Sequence, residues 1–183
     1  MKNLIKLAFI LLMISNSAFA QKYITKNGHI SFFSDAPSEK IEAKNNQVST
    51  ALDITTGDLV FKVLIKSFEF KNALMQEHFN ENYLESNKFP NATYKGKITN
   101  PKEIDFTKNG KYKANVEGEM TIHGVTKKEN HAGVFEVKDG KIIASSKFFI
   151  ALKDYNIEKP KMVLNNIADK IEITVEVSLE KIK

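Results

Sequence analysis

Between Tyr112 and Ile122 the chain sorts its residues by parity. Tyr112, Ala114, Val116, Gly118, Met120 and Ile122 fall on one side; Lys111, Lys113, Asn115, Glu117, Glu119 and Thr121 fall on the other. A period of two sustained over this distance defines a strand with one dry face and one wet face. It also exceeds the usual strand of roughly 5–6 residues, and long antiparallel strands are what a barrel or a strongly curved sheet requires. His123-Gly124-Val125 then breaks the pattern before a polar strand returns, so the stretch is one arm of a hairpin.

The same rhythm recurs on both sides. His29 to Ser34 reads as a first strand after an Asn27-Gly28 turn signal, and Ile41 to Lys44 as a short one ending at the turn dipeptide Asn45-Asn46. Gln47 to Ile54 places Val48, Thr50, Leu52 and Ile54 on one face. After Thr56-Gly57-Asp58, Leu59 to Ile65 carries Leu59, Phe61, Val63 and Ile65, with Val60 and Leu64 opposite, as in a strand covered on both sides. Ser67-Phe68-Glu69-Phe70 continues as extended chain. The one helix is predicted over Asn72 to about Leu84, capped by Asn72, because Met75, Phe79 and Tyr83 recur four residues apart with Leu74 beside His78. Such a stripe packs on a sheet or plugs the mouth of a barrel.

Further strands follow. Ala92, Tyr94, Gly96 and Ile98 alternate with lysines and Thr93, Ile104 to Phe106 is short, and Gly133, Phe135 and Val137 share a face within Lys127 to Val137. Asp139-Gly140 is a strong hairpin signal. Lys141 to Leu152 then aligns Ile142, Ala144, Ser146, Phe148 and Ile150, and Lys170 to Lys183 alternates most cleanly of all. Lys159-Pro160 marks a long connection. The expected fold is all-β, an antiparallel eight-stranded barrel with one short helix, a flattened sandwich being the second choice.

Residues 1–20 stand outside that domain. Lys2 and Lys6 open a segment whose run Leu7 to Ile14 is wholly apolar, and Ala18-Phe19-Ala20 forms a small-x-small cleavage site. This is a secretory signal peptide; the apolar run is too short to span a bilayer. The expected product is a periplasmic or secreted single domain over 21–183, without stable membrane insertion. Removing Lys2 and Lys6 from the chain's formal charge of +5 leaves +3. All the cations are lysine, scattered over polar strand faces, and arginine is absent. Nucleic acid is therefore not an expected partner, since bidentate readout is mainly arginine's work. Cysteine is also absent, which leaves no disulfide framework and no thiolate chemistry.

The hairpin segment Thr121-Ile122-His123-Gly124-Val125-Thr126-Lys127 resembles the signature of the YceI-like family of secreted, lipocalin-like proteins. The run from His78-Phe79 through Lys88-Phe89-Pro90-Asn91-Ala92-Thr93-Tyr94 is similar to the family's second signature, a short helix followed by Y/F-P-x-A-x-F/Y. The two lie in the family's order, and the resemblance extends over nearly all of the chain beyond residue 20. It departs in its first strand (Ile30-Ser31) and at Lys127-Lys128, where a proline is expected.

Catalytic signals are weak by comparison. His29, His78, His123 and His131 show no metal-ligand spacing. Glu117 and Glu119 lie about 7 Å apart on one strand face, a separation met in glycosidases, but they share that face with Lys111 and Lys113, as on a solvated surface. No G-x-S-x-G elbow and no phosphate-cradling glycine loop occurs. Glu119, His123 and Asp154-Tyr155 are the candidates for a lipid hydrolase or isomerase, whereas His123 is expected to bond backbone at its own turn. No catalytic residue, metal or cofactor is expected.

An eight-stranded barrel either fills with its own side chains or holds one slender ligand. The resemblance implies the second, a long-chain isoprenoid or fatty lipid. The small residues Ala114, Gly118, Ala144 and Ser146 are consistent with an open bore. The wall it implies comes first from Phe61, Val63, Phe68, Phe70 and Phe79. Tyr94, Tyr112, Met120 and Ile122 continue it, and Phe135, Phe148 and Ile150 complete it. The alternative is a filled barrel serving as a structural or stress-related interaction module. A monomer or a homodimer is compatible with either.

Overall fold

The computed structural model describes residues 21–160 and 164–182; the segment 1–20, read above as a signal peptide, lies outside them. Nine strands form one antiparallel sheet: β1 (Lys22–Asp35), β2 (Lys40–Asp53), β3 (Asp58–Leu64), β4 (Glu69–Phe70), β5 (Asn91–Ile98), β6 (Gly110–Ile122), β7 (Val125–Lys138), β8 (Lys141–Ala151) and β9 (Lys170–Lys181). Their order is β1-β9-β8-β7-β6-β5-β3-β2, and β2 pairs back onto β1, which closes an eight-stranded barrel. The two-residue β4 lies beside β2, where Ala43 and Lys44 face Phe70 and Glu69.

One end of the barrel is solid. Val48, Leu52, Ile142, Val177 and Leu179 are wholly buried there, next to Tyr23, Leu59 and Ile98. At the other end the turn between β1 and β2, the β6–β7 hairpin and the helix meet. That helix, α1 (Ala73–His78), starts at Asn72, whose side chain accepts from the Leu74 amide, and passes into a wider π turn over Phe79–Tyr83. The expected stripe is therefore continuous in space, although the predicted helix is α-helical for only half its length.

Several boundaries differ from the sequence-based expectation, each for a local reason. Asn27-Gly28 is not a turn but a bulge within β1, where the pairing with β2 shifts between Thr25 and Gly28 and again between Gly28 and Ile30. The extra residue flips the parity of β1, so Tyr23 is buried before it and Gly28 and Ser34 after it. A side chain at Gly28 would run into Val177, so only glycine lets β9 pass. Asn45-Asn46 is likewise inside β2. Asn45 is fully buried, its Nδ2 donating to Leu64 O at 2.9 Å and its Oδ1 accepting from the Gln47 amide at 2.8 Å. Its amide replaces ladder bonds at the distortion. β3 is covered on one side only, with Val60 and Leu64 each 40% exposed. Ile104 to Phe106 is irregular chain, not strand.

Gly118 has a different role from the open bore expected of it. It faces Gly96 across the β5–β6 ladder, and a Cβ there would strike the Lys95 carbonyl and the Gly96 backbone. A Cβ on Gly96 would lie 2.7 Å from the Tyr94 ring. The glycine pair thus admits close strands and the Tyr94 ring, not ligand. Gly118→Ala is expected to cost about 1–3 kcal/mol, the scale of overpacking, as read from the urea denaturation midpoint.

The β7–β8 seam is unlike the others. β6 and β7 pair from Gly110–Val137 to Ile122–Val125, but β7 and β8 pair only from Val134–Ser145 to Lys138–Lys141. Beyond Gly133 side chains take over. Ser146 Oγ donates to Ala132 O at 2.7 Å, the His131 and Phe148 rings meet at a tilt with centroids 4.1 Å apart, Tyr155 Oη donates to Glu129 Oε1 at 3.1 Å, and Lys127 pairs with Asp154 at 3.1 Å.

Candidate functional site

The inward faces of the strands do not meet in the middle of the barrel. They enclose a cavity of about 330 Å³, overwhelmingly apolar in lining, at the lower end of the roughly 300–1,000 Å³ typical of small-molecule sites. β3 contributes Leu59, Phe61 and Val63; β5 contributes Ala92 and Tyr94; β6 contributes Ala114, Val116, Met120 and Ile122. β7 adds Phe135, and β8 adds Ala144, opposite it in register, with Phe148 and Ile150 further along.

At the helical end an aromatic cluster forms the rim. Phe32 stacks on Phe79 at 5.5 Å between ring centroids, and Phe68 and Phe70 close on both at 5.1–5.6 Å. Met75 and Tyr83 extend the rim along the helical stripe, while Leu74, on the other side, is 56% exposed. The stripe therefore faces the cavity. Burial pushes the Tyr83 hydroxyl pKa above its ordinary value.

The opposite lip is made by residues 157–160 and 164–169. Ile157 and Ile167 face the cavity, and Asn166 Nδ2 donates to Glu39 Oε2 at 3.2 Å. Lys159 folds back, donating to Ile167 O at 2.8 Å and pairing with Asp169 at 2.5 Å.

Of the residues proposed for the wall, Tyr112 alone does not line the cavity. Its face is inward, but it sits too near the barrel's end, with its hydroxyl donating to Lys108 O at 3.1 Å. Ala114, Ala144 and Ser146 do line the space. Sequence reasoning missed His131 and Phe32. His131 follows from stepping back two residues along the Gly133-Phe135-Val137 face. Phe32 was hidden by the bulge that resets the parity of β1.

The candidates for chemistry are spent on structure. Glu117 and Glu119 are exposed on the outer face of β6. His123 bonds backbone, though not at its own turn: Nδ1 lies 3.2 Å from Tyr155 O and Nε2 2.7 Å from Glu85 Oε2. A left-handed φ of 50° at His123, followed by 75° at Gly124, aims its ring across the barrel end. Asp154 is held by Lys127, and Tyr155 is wholly buried against Glu129. Burial, then the Glu129 charge, pushes the Tyr155 hydroxyl up, so at neutral pH it is a donor. None of these side chains faces the cavity. Among the described residues no cluster of three or more histidine or acidic side chains is arranged to hold a metal.

Two ionisable groups on the wall are shifted. Burial, with help from Glu129 and Glu117, pushes the Tyr94 hydroxyl up to about 12; it lies 3.2 Å from both Val116 O and Glu129 O. Burial lowers the His131 imidazole below its ordinary value, the Glu129 carboxylate opposing that only in part. The folded chain thus holds this proton more weakly than the unfolded chain. Stability is expected to decline as pH falls below about 6.5, where the unfolded imidazole begins to protonate, until pH passes the folded value. Urea denaturation across that range should give a shallower decline in His131→Phe.

A closed antiparallel barrel with one solid end, one helical rim and an apolar interior defines a lipocalin-like fold. The chain belongs to the YceI-like family: the model for the YceI-like domain matches residues 21–179. Similar solved structures include a polyisoprenoid-binding domain from Saccharophagus degradans, 13% identical, covering 89% of this chain and 99% of that one with a TM-score of 0.75. BcnA from Burkholderia cenocepacia is 16% identical over 83% and 95% of the two chains, TM-score 0.68. The YceI protein of Campylobacter jejuni is 22% identical over 77% and 84%, TM-score 0.59. At these identities the likeness is one of fold. No curated protein matches the chain in sequence.

Proposed function

We propose that this chain is an exported, non-catalytic carrier for a long-chain amphipathic lipid, an isoprenoid or fatty-acid derivative, held inside the barrel. The carrying observation is the cavity: an eight-stranded barrel can fill itself with side chains or hold one small ligand, and this one leaves about 330 Å³ behind an aromatic rim. Each methylene buried there contributes about 0.8 kcal/mol, so a hydrocarbon tail needs no ionic contact to bind. The cavity also weighs against the filled-barrel interaction module. The likeness to a polyisoprenoid-binding domain supports a lipid of that kind. Export rests on the leader-like sequence of residues 1–20, directly before the family match at residue 21. No helix among the described residues is long and apolar enough to cross a membrane.

The test is native mass spectrometry of the protein from its own source, followed by organic extraction. The expected result is a mass above that of the chain and a released species with a long hydrocarbon tail. A native mass equal to the chain alone, with no uptake of any lipid in later titrations, would overturn the reading.

A further inference from the structure

The cavity wall is unusual in what it lacks. The chain carries 27 lysines, yet among the described residues none lines the cavity. The charged side chain that does is Glu39, at the mouth. A carboxylate or phosphate drawn inside would meet no counter-ion and would forfeit its hydration, which is costly in an apolar site. At the mouth it would meet the Glu39 carboxylate.

The wall is not wholly without polar groups, but several are already occupied. Tyr94 Oη is engaged by Val116 O and Glu129 O, Ser146 Oγ donates to Ala132 O, and Ser34 Oγ accepts from the Ala168 amide. At the rim the His78 ring and the Tyr83 hydroxyl also border the space; among the fully buried side-chain atoms of the wall the exception is His131 Nε2. It is buried and has no hydrogen-bond partner, and its residue lines the cavity opposite Val116, partway down β7. Its ring is held between aromatic neighbours, tilted against Phe148 at 4.1 Å and in an edge arrangement with Tyr94 at 5.2 Å between centroids. An orphaned buried nitrogen is destabilising unless something completes it.

We propose that the cavity selects lipids with a neutral, hydroxyl-bearing head over bare hydrocarbons and over anionic lipids, and that His131 is the side chain that bonds that head. A hydroxyl both donates and accepts, so it satisfies the ring nitrogen in either tautomer. Burial keeps the imidazole neutral near pH 7, and a neutral head suits it. The proposal rests on the carrier reading and adds a head-group class to it. It also explains why a polar ring stands on this wall. Along the β7–β8 seam the backbone ladder is missing, so the wall there is built of side chains, and that is where a polar group gains access to the bore.

The test is a loading competition on the full chain. Hexadecan-1-ol, hexadecane and hexadecanoate are offered in equal amounts, and the retained lipids are extracted and quantified by gas chromatography. The expected result is retention of the alcohol over the hydrocarbon by about five- to tenfold, the scale of one hydrogen bond, and over hexadecanoate by at least as much. In His131→Phe, whose ring keeps the aromatic contacts with Phe148 and Tyr94, the alcohol-to-hydrocarbon ratio is expected to fall to near one. His131→Leu is the second apolar replacement, so the ratio is read in a folded variant. Equal retention of alcohol and hydrocarbon by the native chain, a preference that survives both replacements, or hexadecanoate retained as well as the alcohol would each overturn the proposal while leaving the carrier reading intact. Retention of none of the three would overturn the carrier reading, and this one with it.

Discussion

Ala144→Phe is expected to abolish lipid uptake while leaving the barrel folded. Ala144 lies on the inner face of β8, paired with Phe135 on β7, and its methyl group is part of the cavity wall. A phenyl ring there has somewhere to go, because the space in front of it is empty, and in that space it displaces the tail of a ligand. The native barrel cannot accommodate both. Overpacking a filled core costs about 1–3 kcal/mol; entering a cavity should cost less, and burial of the new ring offsets part of that. Binding should fall by at least tenfold in a fluorescent-lipid titration, with the urea midpoint shifted by no more than about 1 kcal/mol equivalent. Ala114→Phe, on β6 two strands away, is the matching second probe of the wall. If Ala144→Phe binds lipid as the native chain does, the ligand does not occupy this cavity. If instead the variant unfolds, the space is not available to a side chain, and a ligand has less room than the cavity volume implies.

The extent to which this was legible in advance depends on how local each determinant is. The parity of β6 is written in consecutive residues, so its inward set, its length and its hairpin at His123-Gly124 follow from the sequence alone. The helical stripe Met75, Phe79, Tyr83 is equally local, and it keeps its direction even where the α turn widens into a π turn. What could not be read locally is what depends on a second strand. The bulge at Gly28 sits where β9 passes close enough for Val177 to exclude any side chain. Nothing in Asn27-Gly28 distinguishes that from a turn. Asn45 behaves the same way. In sequence it is half of a turn dipeptide; in the barrel it is buried and bonds the carbonyl of Leu64, 19 residues away. Gly118 reads as spare volume because its partner, the Tyr94 ring over Gly96, comes from another strand. Tyr112 shows the last kind of limit: parity fixes which way a residue points, not how deep in the barrel it stands.

Tyr155 is the residue whose importance was least visible, and its loss is expected to have the largest effect on stability. It ends a 3-10 turn (Leu152–Tyr155) that Asn156 closes in the left-handed region at φ 53°. The turn follows β8 directly and folds back over the stretch where β7 and β8 lack a ladder. The ring is wholly buried in that gap. Its hydroxyl donates to Glu129 on β7, its carbonyl oxygen lies 3.2 Å from His123 Nδ1 at the hairpin, and the neighbouring Asp154 pairs with Lys127. Three points along this side, His123 at the hairpin and Lys127 and Glu129 on β7, are thus fastened by one turn, where other seams use backbone. Tyr155→Ala is expected to cost about 3–5 kcal/mol, as for a large aromatic removed from a core, a large share of the roughly 5–15 kcal/mol that holds a typical domain. Tyr155→Phe keeps the packing and loses only the hydroxyl, leaving Glu129 without its donor; about 1–2 kcal/mol is expected. Urea denaturation of both variants separates the two contributions. Glu129→Gln in the Tyr155→Phe background should then recover part of the loss, since a neutral amide tolerates the missing donor better than a carboxylate does. The functional consequence follows from the same geometry. With the seam unplugged, water reaches the bore from the side, and a lipid that enters past the aromatic rim gains a second way out. Dissociation of a loaded lipid from Tyr155→Ala should therefore be faster than from the native chain at a temperature where both are folded. An unchanged urea midpoint together with an unchanged dissociation rate would mean that the seam is closed by something other than this turn.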